Sequence, residues 1–278
     1  MGDEFDVPNP TKEDLKRIYN DRKKYSRTFN QLENYADFMD KYRMHAILKV
    51  IEHNQISSIL DNGCGSAVIS RELAKSGYEV TGFDISEVLL AQIPKIKNLK
   101  LMVGDCDELP FKDSSFDCII CSEVLEHIKD NQLTIVEITR VIKKDGVVII
   151  TVPNLAGYDS LDGKFKIITA PIRFVNFFLR LLHLPEVYKY GYSTHFHKLF
   201  PWEWKKLLEA NGLEVLQDQS VFISFWFPDI LRFIERFFYN LPGIFTIKIW
   251  IDDWLCMLFP FKYFGQTHLF IYKKKTGT

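Results

Sequence analysis

Between residues 57 and 153 the sequence switches repeatedly between two hydrophobic periods, and few folds accommodate that. SSILDN, YEVTGFD, LKLMVGD, FDCIICS and GVVIITVP read as short apolar strands, while VISRELAKSG, SEVLLAQI and LTIVEITRVIKK, set among them, carry helical spacing. A helix between two strands returns the chain in the same direction, so the alternation predicts a parallel sheet with helices on both faces. The strand runs are nearly continuous in apolar residues, as expected of strands covered on both sides. Gly77, Gly146 and Pro153 fall where a helix or strand should end.

The rest of the chain is arranged around this block. Residues 11–54 read as helices rich in Lys, Arg and Tyr, which cap the sheet or cover the mouth of a site. After Pro153 there is little β alternation until PWEWKKLLEANG, a helix closed by Gly212, and LEVLQDQ, a strand; THLFIYKKK is a last strand. The aromatic stretch between those two strands is too long for a hairpin loop and should hold helices of its own. The expected organisation is an N-terminal helical cap (1–44), a cofactor-binding core (45–153), an insertion or lid (154–200), a core helix and strand (201–219), an aromatic-rich insertion (220–265), and a final core strand with its tail (266–278).

Composition excludes several classes. With 278 residues, 47% of them hydrophobic, the chain can bury a substantial core and is not disordered. A net charge of −1 gives no reason to expect a nucleic-acid partner. Five cysteines are an odd set, three of them in or beside apolar strands, which fits a reducing, cytoplasmic setting better than a disulfide scaffold. Cys118 and Cys121 form a C-x-x-C, but three residues apart on a strand they face opposite sides and cannot share a metal. The polar N-terminus is unlike a signal peptide and no apolar run reaches spanning length, so a soluble or peripheral protein is expected.

In a doubly wound sheet, ligands bind beyond the carboxyl ends of the strands. The first strand runs into SILDNGCGSA, Ser58 to Ala67, where Asp61 ends the strand and Gly63 and Gly65 let the backbone turn tightly and approach a ligand. The second strand ends in Asp84 and Ile85, where an acid can hold a ribose diol. The third ends in Asp105 and Cys106, and the fourth in Ser122 and Glu123. Each acid alone also reads as a helix N-cap; together they form an arc. Val68 occupies the position of the last small residue of a G-x-G-x-x-G fingerprint, which argues against a dehydrogenase, and no G-x-x-x-x-G-K-[ST] loop is present.

Over roughly residues 45–217 plus the final strand, the chain resembles the class I S-adenosylmethionine-dependent methyltransferases. ILDNGCGSA is similar to that family's first motif, D-x-G-x-G-x-G, with Ala67 where the third glycine is usual, a departure that tightens the turn. GDCDELPFKDSSFDCII resembles the adenine-side motif and the run into the fourth strand. SEVLEHI, RVIKKDGVVIITVPN and STHFHKLFPWEWKKLLEANGLEVL resemble the subgroup that includes the ubiquinone-pathway O-methyltransferases. The resemblance implies an α/β fold, a doubly wound, mostly parallel seven-stranded sheet of the Rossmann-like type with its last strand antiparallel, here elaborated by two helical, aromatic-rich insertions. It implies S-adenosyl-L-methionine as cofactor. Asp61, Gly63 and Gly65 would line its methionine part, the backbone near Ser122 would receive its ammonium, Asp84 and Ile85 would meet the ribose, and Asp105 and the Cys106 backbone would face adenine.

Methyl transfer to a hydroxyl gains from a base. His127, beside Glu126 in E-V-L-E-H, is the candidate, because an imidazole titrates near neutral pH. Glu123, Glu126 and His127 also have the i, i+3, i+4 spacing of one helical face, which suits a divalent metal such as Mg²⁺, with His195 or His197 as a further ligand. On the acceptor side, residues 171–184 form an amphipathic pattern with Arg173 and Arg180, and residues 228–259 repeat it around Arg232 and Arg236. These insertions are expected to form a lid for a small or lipid-linked acceptor at a membrane surface. The competing reading is an S-adenosylmethionine-binding protein without turnover that acts as a membrane-surface or partner-binding module.

Overall fold

The structure is a computed structural model, and it describes residues 11–20, 35–154, 197, 199–221, 254, 258 and 267–275. Helix α1 (Lys12–Tyr19) and helix α2 (Tyr35–Glu52) precede strand β1 (Ser58–Asn62). Helix α3 (Val68–Lys75), strand β2 (Glu79–Asp84), the single turn of helix α4 (Glu87–Leu90), strand β3 (Leu99–Val103) and strand β4 (Phe116–Ser122) follow. After a 3-10 turn (Leu125–His127) come helix α5 (Asn131–Val141), strand β5 (Ile142–Pro153), helix α6 (Pro201–Ala210), strand β6 (Leu213–Val221) and strand β7 (Thr267–Lys274).

The strands form one seven-stranded sheet in the order β3-β2-β1-β4-β5-β7-β6. β1 to β5 pair in parallel, and β7 runs antiparallel between β5 and β6. This is the doubly wound, mostly parallel arrangement expected. The order reverses at β1, which places the crevice for a ligand beyond the carboxyl ends of β1 and β4.

Side-chain alternation divides the core in two. On one face Ile59, Val80, Cys118 and Ile120 pack with Leu73 of α3 and with Tyr42, Ala46, Ile47 and Ile51 of α2. On the other, Leu60, Phe83, Ile119 and Cys121 pack with Ile135, Ile138 and Val141 of α5 and Trp204 and Leu208 of α6. Cys118 and Cys121 therefore lie on opposite faces. The stripe along α2 crosses the boundary expected at residue 44, so that helix belongs to the core for its buried length. Each fully buried Ile or Leu stabilises the fold by about 1.5–3 kcal/mol.

Two expectations from hydrophobic period need correction. The helical pattern LTIVEITRVIKK stops at Val141, and Ile142 opens β5 opposite Phe116. Gly146 ends no helix; a Cβ there would lie 2.6 Å from Ile142 Cδ1 and 3.0 Å from the Asp117 carbonyl, so its smallness serves packing within the strand. The run SEVLLAQI forms only one turn, since Pro94 disfavours helical geometry at Ile93.

The amino ends of the strands are closed by Asp117. Its Oδ2 accepts from the amide and hydroxyl of Ser57 (3.3 and 2.7 Å) and of Ser58 (3.0 and 2.8 Å), and Lys143 Nζ lies 2.7 Å from Oδ1. Partial burial opposes ionisation, but these donors hold its carboxyl well below the usual range.

Candidate functional site

The chain leaves β1 through a loop pinned to the end of β2. The amides of Gly63 and Cys64 donate to the Phe83 carbonyl (2.7 and 3.1 Å), and the Gly65 amide donates to Asp84 Oδ2 (2.7 Å). Gly63 and Gly65 have φ of 83° and 53°. A Cβ on Gly63 would lie 2.4 Å from Val124 Cγ2, whereas one on Gly65 would meet nothing within 4 Å. The first glycine is needed for packing and the second faces open space. Ala67, fully buried, opens α3 with φ 54° and ψ 37°, a left-handed conformation costing an L-residue about 1–2 kcal/mol.

Two buried carboxylates stand under this loop. Asp61, 3% exposed, accepts a 2.5 Å hydrogen bond from Ser70 Oγ; burial, with the Asp84 charge adding, pushes its carboxyl up to about 6. Asp84 gives its other oxygen to the Ser86 amide (2.9 Å), and burial raises its carboxyl despite the amides of Ser86, Gly65 and Ile85. Among the described residues neither carboxylate has an ion pair, and the two buried acids stand side by side at the end of the sheet. Beside it lies a cavity of about 180 Å³ lined by Asp61, Gly63, Cys64, Gly65, Ser66, Ser122 and Arg43. Arg43 reaches it from α2, with Nη1 3.1 Å from Glu123 Oε2. Sequence reasoning missed this residue, because an arginine on a capping helix carries no local motif.

Beyond β4, Ser122 Oγ is 2.8 Å from Thr151 Oγ1, and the Glu123 amide donates to the Thr151 carbonyl (2.9 Å). Glu123 is left-handed at φ 57° and Leu125–His127 is one 3-10 turn. The expectation that Glu123, Glu126 and His127 share a helical face is therefore corrected: the backbone reverses its hand at Glu123, whose carboxylate turns to Arg43. Among the described residues no group of three His, Cys, Asp or Glu side chains is placed to hold a metal ion. Glu126 is 1% exposed, and among the described residues neither carboxyl oxygen has a hydrogen-bond partner; burial, then the Glu123 charge, raises its carboxyl well above the usual range. His127 Nε2 lies 3.7 Å from Glu126 Oε1. His197 donates its amide to the Glu126 carbonyl (3.2 Å) and sets Nε2 3.1 Å from the Lys129 carbonyl, so it braces this turn. His195 and the segments 171–184 and, apart from Trp254 and Leu258, 228–259 lie outside the described residues.

At the end of β3, a Cβ on Gly104 would lie 2.3 Å from the Phe83 ring, so the turn passes directly over that side chain. Cys106 is buried, and burial pushes its thiol well up, which makes it inert. Lys12 of α1 holds Asp105 and Asp107, at 2.7 and 2.8 Å. Asn20 Oδ1, just past α1, accepts from Ser86 Oγ (2.6 Å) and the Val88 amide (3.3 Å).

Residues 60–150 match a family model described as a methyltransferase domain. The chain is 32% identical over 147 residues to a demethylmenaquinone methyltransferase of Staphylococcus aureus; the match takes in 50% of this chain and 59% of that relative. The chain thus spans about three fifths of the curated relatives it matches. Among solved structures, the cyclase SpnF superposes with a TM-score of 0.58 at 15% identity, covering 96% of this chain and 97% of that one. A Haloferax volcanii methyltransferase complex with the Trm112 methyltransferase activator gives 0.53 at 20% identity, covering 86% and 92%. At these identities the solved structures speak for the fold.

Proposed function

We propose that this chain, whose residues 60–150 are a class I S-adenosylmethionine-dependent methyltransferase domain, transfers a methyl group from that cofactor to an oxygen of a small or lipophilic acceptor. The observation that carries the reading is the buried carboxylate pair Asp61 and Asp84, beneath a glycine loop and beside the cavity at the switch point of the sheet. The residues fit the cofactor, a cation with a free amine. A buried anionic pocket stabilises such a charge, and the open space over Gly65 admits it.

In this reading Asp61, Gly63 and Gly65 hold the methionine part, with the Ser122 backbone at its ammonium and Arg43 at its carboxylate. Asp84 and Ile85 hold the ribose, and Asp105 and Cys106 the adenine. When bound, the cofactor supplies a methyl on a positively charged sulfur. The chain contributes alignment, and fixing two reactants in position is worth about 7–11 kcal/mol. His127 takes the acceptor's proton, and Glu126, close at 3.7 Å, orients its imidazole. Glu123 positions Arg43 in the same reading. The S. aureus relative's name, which puts its action on demethylmenaquinone, supports a lipophilic acceptor. Trp202, Trp254 and Leu258, all exposed, support a site that meets apolar material, and we place the enzyme at the cytoplasmic membrane surface. Among the described residues no helix is long and apolar enough to cross a membrane.

Calorimetric titration with S-adenosylmethionine tests the reading: saturable binding to the folded protein is expected, and its absence would sink it. Mass spectrometry of a cell extract incubated with the protein and methyl-labelled cofactor should reveal a labelled acceptor. A second reading, cofactor binding without methyl turnover, is supported by SpnF, a cyclase on the same fold. Binding with no transfer of label would favour it.

A further inference from the structure

Helix α1 is a real element of the fold with its own cap. Thr11 Oγ1 accepts from the Asp14 amide (3.2 Å) while Asp14 Oδ2 accepts from the Thr11 amide (2.9 Å), a reciprocal pair that satisfies two donors at the helix start. Its two ends are fastened to two different strand ends. At the start, Lys12 Nζ bridges Asp105 and Asp107 beyond β3. At the finish, the Asn20 side chain accepts from the hydroxyl of Ser86 and the amide of Val88, in the turn after β2. Ser86 in turn donates its amide to Asp84 and caps α4 through the Leu89 amide (3.2 Å).

The strand ends so bridged are the two that the proposed function assigns to ribose and adenine, so α1 crosses the adenosine half of the cleft. We infer that α1 is a strap over that half, latched by Lys12 and hinged at Asn20, and that opening the latch sets how fast the nucleoside cofactor exchanges. The asymmetry of the two fastenings supports the division of labour. Asn20 binds a buried hydroxyl, whereas Lys12 is 62% exposed and its ion pairs are open to solvent and screened by salt. Asp107 keeps the receiving side rigid: it is 8% exposed, and its other oxygen takes the Thr134 hydroxyl. A rigid acceptor and a solvated ammonium make a fastening that opens at Lys12.

This inference rests on the methyltransferase reading, and one experiment separates the two. The full chain is loaded with methyl-labelled S-adenosylmethionine, chased with unlabelled cofactor, and release is followed by rapid filtration for wild type, Lys12→Met and Asn20→Ala. Lys12→Met should release label about 2- to 5-fold faster, the range for loss of an exposed ion pair, with an unchanged thermal midpoint. Wild-type release should accelerate with added salt, and that dependence should be blunted in Lys12→Met. Asn20→Ala should also accelerate release while keeping the salt dependence, because its fastening is uncharged. Wild-type rates in both variants, at retained binding, would overturn the strap. A wild-type protein that captures no label would instead overturn the methyltransferase reading itself.

Discussion

The two ends of one sheet treat an aspartate in opposite ways. Asp117, at the amino ends, is surrounded by donors from Ser57, Ser58 and Lys143 and ionises more readily than a free carboxyl. Asp61, at the carboxyl end of the neighbouring strand, has the hydroxyl and amide of Ser70 as donors, a second carboxylate nearby and almost no water. The first end is finished by the chain alone. The second holds two buried carboxylates with no ion-pair partner among the described residues. Left-handed backbone occurs at both ends: Gly63, Gly65, Ala67 and Glu123 lie at the carboxyl end, and Gly77, Asn98 and Ser114 just before β2, β3 and β4.

The largest test of that contrast is Gly63→Ala. The new methyl meets Val124 in a left-handed backbone, and a loss of about 3–4 kcal/mol is expected in urea unfolding. Gly65→Ala, with open space above it, should lose only about 1–2 kcal/mol of stability yet weaken cofactor binding disproportionately. If both variants unfold equally, the distinction between packing glycine and ligand-facing glycine is wrong.

Asp117→Ala should cost about 2–3 kcal/mol and leave the cofactor's Kd unchanged, since charged hydrogen bonds are lost far from the cavity. Asp61→Asn should do the reverse. The folded carboxyl, at about 6, lies above the ordinary aspartate value, so its contribution is full below about pH 4 and is lost as pH rises through 6. The Asn variant keeps an acceptor for Ser70 and lacks that loss. Above pH 6 it should be more stable than wild type by about 1–3 kcal/mol while binding the cofactor more weakly. Titration near pH 5 in buffers of different ionisation enthalpy should also show more proton release on binding in wild type than in the variant. A variant both more stable and equally tight in binding would break the comparison.

Ala67→Gly is the smallest expected effect, a gain of about 0.5–1 kcal/mol from relieving the left-handed alanine, measured by the shift in unfolding midpoint.

Much of this contrast could be read in the residues. Alternation of period placed β1 to β4, and the placing of Cys118 and Cys121 on opposite faces followed from a two-residue repeat. The acids at strand ends were visible because a parallel sheet gathers them at one edge. What escaped was set by contacts between distant residues. Arg43 looks like any helix arginine until α2 docks beside Glu123, and Lys12 acquires a role only when α1 crosses β2 and β3. The hand of the backbone at Glu123, which removes the expected helical face, follows from the bond of its amide to Thr151 on another strand. The start of β5 was hidden because VIKK continues a helical pattern until Ile142 finds Phe116.

The position of β7 has a consequence for how the molecule comes into being. An inner strand of the sheet, between β5 and β6, is supplied by residues 267–274, while its partner β5 ends at Pro153. During synthesis, then, Ile142–Pro153 waits with an unpaired apolar edge until more than a hundred further residues have been made. Such a long-range pairing folds slowly and exposes a template for intermolecular strand addition. A ribosome stalled before Thr267 would release an aggregation-prone chain in which every residue of the cofactor arc was already present.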